Sequence, residues 1–398
     1  MLSLRLNGAT LIEIFPSLAH PVWYVPTFLL GACIGSFLNV VIYRVPIGLS
    51  VNEPKRSFCP KCKADIPMRL NIPLVSWLWL RGKCANCKAP IAFRYFGVEL
   101  LTALLFAALW WFLQSSVPLG QLIRLELGAL LPLWVMAALF VAITFIDAEH
   151  MIIPTSFTTA ISIAGLGAAA LWPRLTDLAG WAGWDPTLKD GLKHSVVGWI
   201  MGFCGLWCMV RLGKLAFGKK KVAFPEPVPW KLIEPDNEVD PIFFEMNGEK
   251  TAWWDLFFRK TDRLVIEATE VVANGEGFGA GEVTIREHEI VLPGGKVIPL
   301  DELKSLEGMG TGAVIPREAM GMGDVHLLGA IGAFFGWAGV LFGLFAASLY
   351  AIVAAALGRI GFGRPLPFGP FLILGAFTWM FGGWKLAEWY FSGLMFMR

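Results

Sequence analysis

Residues 316–334 read PREAMGMGDVHLLGAIGAF, and the carboxylate in that stretch, Asp324, opens a run of almost unbroken apolar residues. An ionisable side chain at the centre of a bilayer costs roughly 2.5–3.5 kcal/mol on insertion scales, so one at the margin of a span marks a candidate functional site. The rest of the chain decides whether it has a partner. With 56% hydrophobic and only 16% charged residues over 398 positions, the chain is too apolar for a soluble protein of its length. It reads as a polytopic membrane protein. Runs of about 20 apolar residues are long enough to cross a hydrocarbon core of about 30 Å as helices. Eight such spans are predicted, at 22–44, 97–114, 127–147, 155–172, 194–213, 323–337, 338–357 and 368–391. The expected fold class is therefore an all-α polytopic membrane protein of about eight transmembrane helices.

Segments 44–96, 211–321 and 358–366 hold 26 of the 33 basic residues. By the positive-inside rule those segments are cytoplasmic and both termini lie outside, although the long 211–321 segment counts for little; without it 12 basic residues still oppose 7. The net charge of +2, with its basic residues accounted for by topology, points to no nucleic-acid partner. LLGAC (29–33) imitates a lipoprotein processing box at Cys33, but the apolar run continues to Val45 and no basic cluster precedes it, so an uncleaved first span is expected. Gly31 and Gly35 in that span form a small-xxx-small pair suited to close helix packing.

The segment after the first span is polar and basic and carries CPKC (59–62) and CANC (84–87). Four thiols in two CxxC pairs, with 21 residues between the inner cysteines, fit a tetrahedral structural zinc site of Cys59, Cys62, Cys84 and Cys87, of the ribbon or knuckle type. Two disulfides or a redox pair are the rival reading, which a cytoplasmic side disfavours. Metal binding would supply much of the folding free energy of so small a loop. Cys33, Cys204 and Cys208 lie in spans and read as packing residues.

The third span ends in FVAITFIDAEHMIIP (140–154) and brings a second carboxylate, Asp147, to a membrane boundary, with Pro154 starting the next helix after a turn of a few residues. Topology puts Asp147 and Asp324 on one rim. Two close carboxylates cannot both ionise cheaply, so such a pair can share one proton and do the work of an aspartyl peptidase, one accepting a proton from water and the other donating to the carbonyl. Gly321 and Gly323 permit a close backbone approach beside Asp324. The competing reading is that each aspartate only caps or marks a helix end. A non-enzymatic assembly or transport protein, with membrane carboxylates that carry protons, is the alternative from a different class.

Residues 217–317 differ in composition from the rest. KKKVAFPEPVPWKLIEPDNEVDP (219–241) is proline-rich and charged and reads as an extended linker. GEVTIREHEIVLPGGKVIPL (281–300) alternates apolar and polar residues about a Pro-Gly-Gly turn, a hairpin signal, so a small β-rich cytoplasmic insert is expected. NGEGFGAG (274–281) has no convincing strand before it or helix after it, and reads as a flexible turn rather than a phosphate loop. The expected organisation is an N-terminal segment and first span (1–45), a zinc-binding loop (46–96), four spans with the first aspartate (97–216), linker and insert (217–317), and the last spans (318–398).

GACIGSFLNVVIYRVP (31–46), the two CxxC pairs, FRYFGVELLTALLF (93–106), IDAEHMIIP (146–154), EAMGMGDVHLLGAIGAFFGW (318–337) and PFGPFLILGAF (367–377) occur in this order. Together they resemble the prepilin peptidase family, the bifunctional type IV leader peptidases and N-methyltransferases whose membrane aspartyl protease motif is GxGD. The resemblance covers nearly all of the chain outside 217–317 and the extreme N-terminus. It implies that Asp147 and Asp324 are catalytic, with Glu318, Gly321, Gly323 and His326 as supporting motif residues. It implies a multi-pass enzyme of the bacterial inner membrane that cuts the basic leader of type IV prepilins or pseudopilins on the cytoplasmic side, after a Gly and before, usually, a Phe. It also implies methylation of the new N-terminus from S-adenosylmethionine, an activity associated with the first cytoplasmic loop, with Arg44 and Glu99 as candidate residues near the substrate. A methyltransferase that has lost proteolysis is a further possibility. Three departures stand out: His326 where a lysine is common, Thr155 where an acidic or amide residue is usual, and an insert far longer than the family's ordinary loop.

Overall fold

The structure is a computed structural model that describes residues 5–6, 9–10, 21–53, 57–59, 61–116, 126–180, 186–217, 219–233, 242–253, 256–257, 262–316, 321–358 and 366–395. The chain divides into two compact units, Met1–Leu206 with Met322–Arg398, and Trp207–Gly321.

The first unit is helical. Its elements are α1 (Tyr24–Arg44), the short α2 (Val75–Trp79), α3 (Phe93–Ser116), α4 (Glu126–His150), α5 (Thr155–Leu171), α6 (Leu188–Phe217, which runs on into the second unit), α7 (Met322–Leu357), α8 (Gly369–Thr378) and α9 (Trp384–Met395). Among the described residues five helices, Pro21–Arg44, Phe93–Ser116, Gly128–His150, Leu188–Lys214 and Met322–Leu357, are long and apolar enough to cross a membrane. Large apolar side chains such as Leu104, Leu131, Phe345 and Ile352 point outward from them, as lipid-facing positions of an integral membrane protein do.

The eight expected spans do not map one to one onto these helices. The segment at 155–172 is α5, of 17 residues. The segments at 323–337 and 338–357 are both in α7, whose regularity breaks at Gly336 (φ 65°, ψ −170°). A straight helix of 36 residues would be about 54 Å long, well beyond one bilayer core. Instead the chain turns back: a Cβ built on Gly332 would lie 2.8 Å from Cγ2 of Val340, whereas eight residues of straight helix separate two positions by about 12 Å. The last segment is α8 and α9 joined by a wide turn at Trp379–Gly383.

Small residues set the helix packing. A Cβ on Gly31 would meet Ala103 Cα at 2.7 Å and one on Gly35 would meet Glu99 Cα at 2.7 Å, so this pair is a packing seam between α1 and α3, as the sequence pattern suggested. A second small-xxx-small pair, Gly198 and Gly202 of α6, sits against the Gly332 and Leu328 carbonyls of α7, and Ser195 Oγ donates to Ala333 O at 2.6 Å.

Among the described residues the second unit is an antiparallel sheet of nine strands: β1 (Lys219–Ile233), β2 (Phe243–Met246), β3 (Glu249–Ala252), β4 (Leu264–Ala273), β5 (Glu276–Phe278), β6 (Gly281–Ile285), β7 (Glu289–Val291), β8 (Val297–Pro299) and β9 (Leu306–Pro316). The order is β8-β7-β6-β4-β9-β1-β2-β3, with β5 on β4. Alternate residues of β4, Leu264, Ile266 and Ala268, enter a core with Trp230, Phe244 and Ile285. The expected hairpin is present as β7 and β8 around Gly294 and Gly295, both at positive φ.

The linker expectation is corrected over Lys219–Ile233, which is the long strand β1, paired with β9 along much of its length and with β2 at Trp230–Ile233. Pro225, Pro227 and Pro229 are spaced by two, so their missing N–H groups fall on one edge of the strand. That edge is the one β2 covers only from Trp230 onward, where prolines remove no ladder bond. The glycine-rich stretch is also ordered at its start: Asn274 and Gly275, both at positive φ, make a tight hairpin turn between β4 and β5.

Candidate active site and cysteine cluster

Asp147 lies in the last turn of α4, which ends when its carbonyl accepts the N–H of Met151 and Met151 adopts φ 55°. Four residues later α5 begins at Thr155. The tight turn aims Ile153 at two other elements: a Cβ on Gly323 would lie 2.7 Å from Ile153 Cβ, and one on Gly369 would lie 3.0 Å from Ile153 Cδ1. Gly323 precedes Asp324 in the first turn of α7, and Gly369 opens α8. The Gly369 N–H donates to Asp147 Oδ2 at 3.0 Å. Three helix ends and one interhelical turn thus converge. Asp147 is within electrostatic range of Asp324. Both are buried, at 5% and 8% exposure, and Asp324 Oδ1 accepts no hydrogen bond from the described residues. An ion pair between Arg94 and Glu149 ties the start of α3 to the same end of α4.

Of the supporting residues, Gly323 makes the close approach expected of it, and Gly321 is exposed just ahead of α7. His326 is half-buried, its ring edge-on to Phe203 at 5.1 Å. Glu318 lies outside the described residues. Arg44 is buried and closes a loop by donating from Nη1 to the carbonyls of Ser50 and Val51. Glu99 accepts the N–H of Leu74 at 2.6 Å. Sequence reasoning missed two residues of this site, Ile153 and Gly369. The signals were present in IIP and FGP, but nothing local says that either faces a carboxylate.

The four cysteines of the loop come together, with their Sγ atoms all within 4.8 Å of one another. The two CxxC segments fold alike. Cys59 N–H donates to Ala64 O and Lys63 N–H to Cys59 O; Cys84 N–H donates to Ala89 O and Lys88 N–H to Cys84 O, with both lysines at positive φ. Each turn aims backbone N–H groups at sulfur. Those groups hold the thiols of Cys59, Cys62 and Cys84 below the usual range. For Cys87 the Ala89 N–H acts the same way, but lost hydration and the thiols of Cys62, Cys84 and Cys59 outweigh it and push Cys87 up to about 11. The Cys59–Cys87 Sγ distance of 3.8 Å matches the edge of about 3.8 Å that a tetrahedron with metal–sulfur bonds of about 2.3 Å requires. All seven cysteines are free thiols, and the four can hold a metal ion.

Two family models and curated relatives define the class of the chain, the leader peptidases. The Bacterial Peptidase A24 N-terminal domain matches residues 29–113, which include the cysteines, and the Type IV leader peptidase family matches 297–356, which include Asp324. Among curated relatives, the prepilin leader peptidase/N-methyltransferase of Myxococcus xanthus is 35% identical over 209 residues, 52% of this chain and 53% of the relative. The protein of that description from Aeromonas hydrophila is 36% identical over 233 residues, covering 52% of this chain and 71% of the relative. That from Pseudomonas aeruginosa is 33% identical over 229 residues, 52% and 70%. The match thus spans about half the length of the first relative and about seven tenths of the other two. No solved structure matches the chain. The chain belongs to the prepilin leader peptidase/N-methyltransferase family.

Proposed function

We infer that the chain is an aspartyl endopeptidase of the bacterial inner membrane, which removes the basic leader of type IV prepilins or pseudopilins on the cytoplasmic side and then methylates the new N-terminal amine. The observation that carries this reading is the convergence of Asp147 and Asp324, buried and 177 positions apart in sequence, around Ile153 and Gly369. One carboxylate, ionised, takes a proton from water as the water oxygen attacks the scissile carbonyl; the other, protonated, gives its proton to the carbonyl oxygen. Gly369 fixes the orientation of Asp147, while Asp324 Oδ1, which accepts no hydrogen bond from the described residues, is the acceptor a water would use. A substrate whose apolar helix stays in lipid meets this rim with its leader already oriented, which lowers the entropic cost of reaching the transition state.

In this reading zinc is the ion of Cys59, Cys62, Cys84 and Cys87 and acts structurally, since all four positions are filled by sulfur and none is open to substrate. S-adenosylmethionine supplies the methyl group for the second step. In this reading the functional divisions are the N-terminal segment and first span at 1–45, the cysteine loop at 46–96, the catalytic spans at 97–216 and 318–398, and the insert at 217–317. The reading is tested by incubating the purified full chain with a leader-bearing pilin and the methyl donor, and weighing the product. Loss of the leader and a gain of about 14 Da, one CH₂, are expected; an intact leader overturns the reading.

A further inference from the structure

A cavity of about 690 Å³ lies between the cytoplasm-facing end proposed for α1, the cysteine loop and the first turns of α3. It is within the roughly 300–1,000 Å³ range of small-molecule sites, and none of the residues that line it belongs to the aspartate pair. Its walls combine an aromatic face with a few placed polar groups. Trp77 and Phe96 pack at 5.3 Å between ring centroids, and Trp77 meets Phe93 edge-on at 5.7 Å. Asn39 lines the cavity at 5% exposure. Its Nδ2 is committed to the Tyr95 carbonyl at 3.0 Å, yet its Oδ1 accepts no hydrogen bond from the described residues. Leaving a buried amide oxygen unsatisfied costs about 1–3 kcal/mol, so one kept beside a cavity is a place for a donor from a ligand or a water. Glu99 also lines the cavity, and its carboxylate is oriented by the Leu74 N–H and the Ser36 hydroxyl.

We propose that this cavity is the binding site of the methyl donor, an adenosyl sulfonium, with Asn39 and Glu99 as its polar anchors. The proposal rests on the methyltransferase half of the function inferred above. Each wall has a matching ligand group. The unpaired Asn39 oxygen accepts from an adenine amino group or a ribose hydroxyl, the Glu99 carboxylate accepts from a ribose diol or faces the cationic sulfonium, and the aromatic face takes the purine or the cation. Charge argues against the leader peptide as occupant: Arg44 and Lys61 balance Asp65 and Glu99 along the lining, and a wall of both signs suits a small ligand that carries cationic and anionic groups together better than a run of lysines and arginines. The cavity also borders α3, whose Arg94 pairs with Glu149, two residues beyond Asp147. A pilin cut at the aspartates therefore needs to move its new amine only from α4 to the neighbouring α3. There the amine lone pair forms the C–N bond as the C–S bond breaks. Sulfur keeps that electron pair and becomes a neutral thioether, and the alkylated ammonium releases a proton to water.

The test is direct binding of S-adenosylmethionine to the full chain in nanodiscs, by calorimetry, together with ultraviolet cross-linking of radiolabelled donor and mass mapping of the labelled peptide. Asn39→Leu and Glu99→Gln are expected to weaken binding at least tenfold while metal content and the thermal unfolding midpoint stay near wild type. The cross-link is expected within residues 36–44 or 57–99. If a variant does not fold, the wild-type cross-link decides. Wild-type affinity in both variants, or a cross-link outside those segments, overturns the site while the methyltransferase reading stands. Absence of any binding to the wild-type chain, with cleavage intact, overturns that reading and the site with it. A leader peptide cross-linking here in place of the donor also overturns the proposal.

Discussion

Gly369→Ala tests how the first aspartate is held. A Cβ at this position would stand 2.7 Å from Asp147 Oδ2, 3.3 Å from its Cγ and 3.0 Å from Ile153 Cδ1. Ordinary contact begins near 3.4 Å, so the carboxylate must retreat by about 0.7 Å. The retreat comes at the expense of the Gly369 N–H bond to Oδ2, now 3.0 Å. A hydrogen bond to a charged group contributes about 1.5–3 kcal/mol, and each 1.4 kcal/mol of transition-state stabilisation is about tenfold in rate. Misplacement of a reacting group by about 1 Å costs on the order of a hundredfold. The two routes agree on a fall in the leader-cleavage rate of about 10- to 100-fold, without loss of membrane insertion. The assay is the initial rate of cleavage of a pilin substrate by the purified variant, with thermal unfolding as the check on folding. A Gly369→Ala enzyme that cuts at the wild-type rate refutes the claim that Gly369 orients Asp147.

Gly336→Ala puts a side chain at φ 65° and a Cβ 2.4 Å from the Thr176 carbonyl, so it is expected to lower the unfolding midpoint by several degrees; an unchanged midpoint contradicts the hairpin in α7. Gly31→Leu forces α1 off Ala103, and overpacking of this kind costs about 1–3 kcal/mol; proteolysis of detergent-solubilised protein is expected to reach the first two spans sooner, and equal resistance argues against the seam. Cys84→Ser removes one of four ligands and is expected to abolish the stoichiometric metal measured by elemental analysis while leader cleavage persists better than methylation. Retained metal would contradict the four-sulfur site.

The parts of this fold that were legible in the sequence are those whose signal is local. Asp147 and Asp324 stand out because a charge at the margin of an apolar run is costly wherever the helix packs, and the cysteines because two CxxC turns impose their own geometry. The pattern also divides α7 near Gly336, where two apolar segments of span length abut. Reading failed where a local signal had two meanings. The prolines at 225, 227 and 229 read as a linker because proline opposes strands in general, yet at a spacing of two they vacate a single edge and β1 tolerates them. Asn247–Gly248, the turn between β2 and β3, is a hairpin signal set in a stretch without strong alternation, which hides it. Gly369 could not be found at all by local reasoning, because its partner Asp147 is 222 residues away. The cavity beside Asn39 escapes local reading for another reason: its walls come from two helices and a loop that periodicity describes one at a time.

The central claim is that Asp147 and Asp324 act as one catalytic pair. Asp147→Asn and Asp324→Asn keep the size and most hydrogen bonds of each side chain but remove the acid. Each variant, reconstituted at wild-type level with a leader-bearing pilin and followed by mass spectrometry, is expected to leave the leader attached. A pilin trimmed at the wild-type rate by either variant would contradict the account.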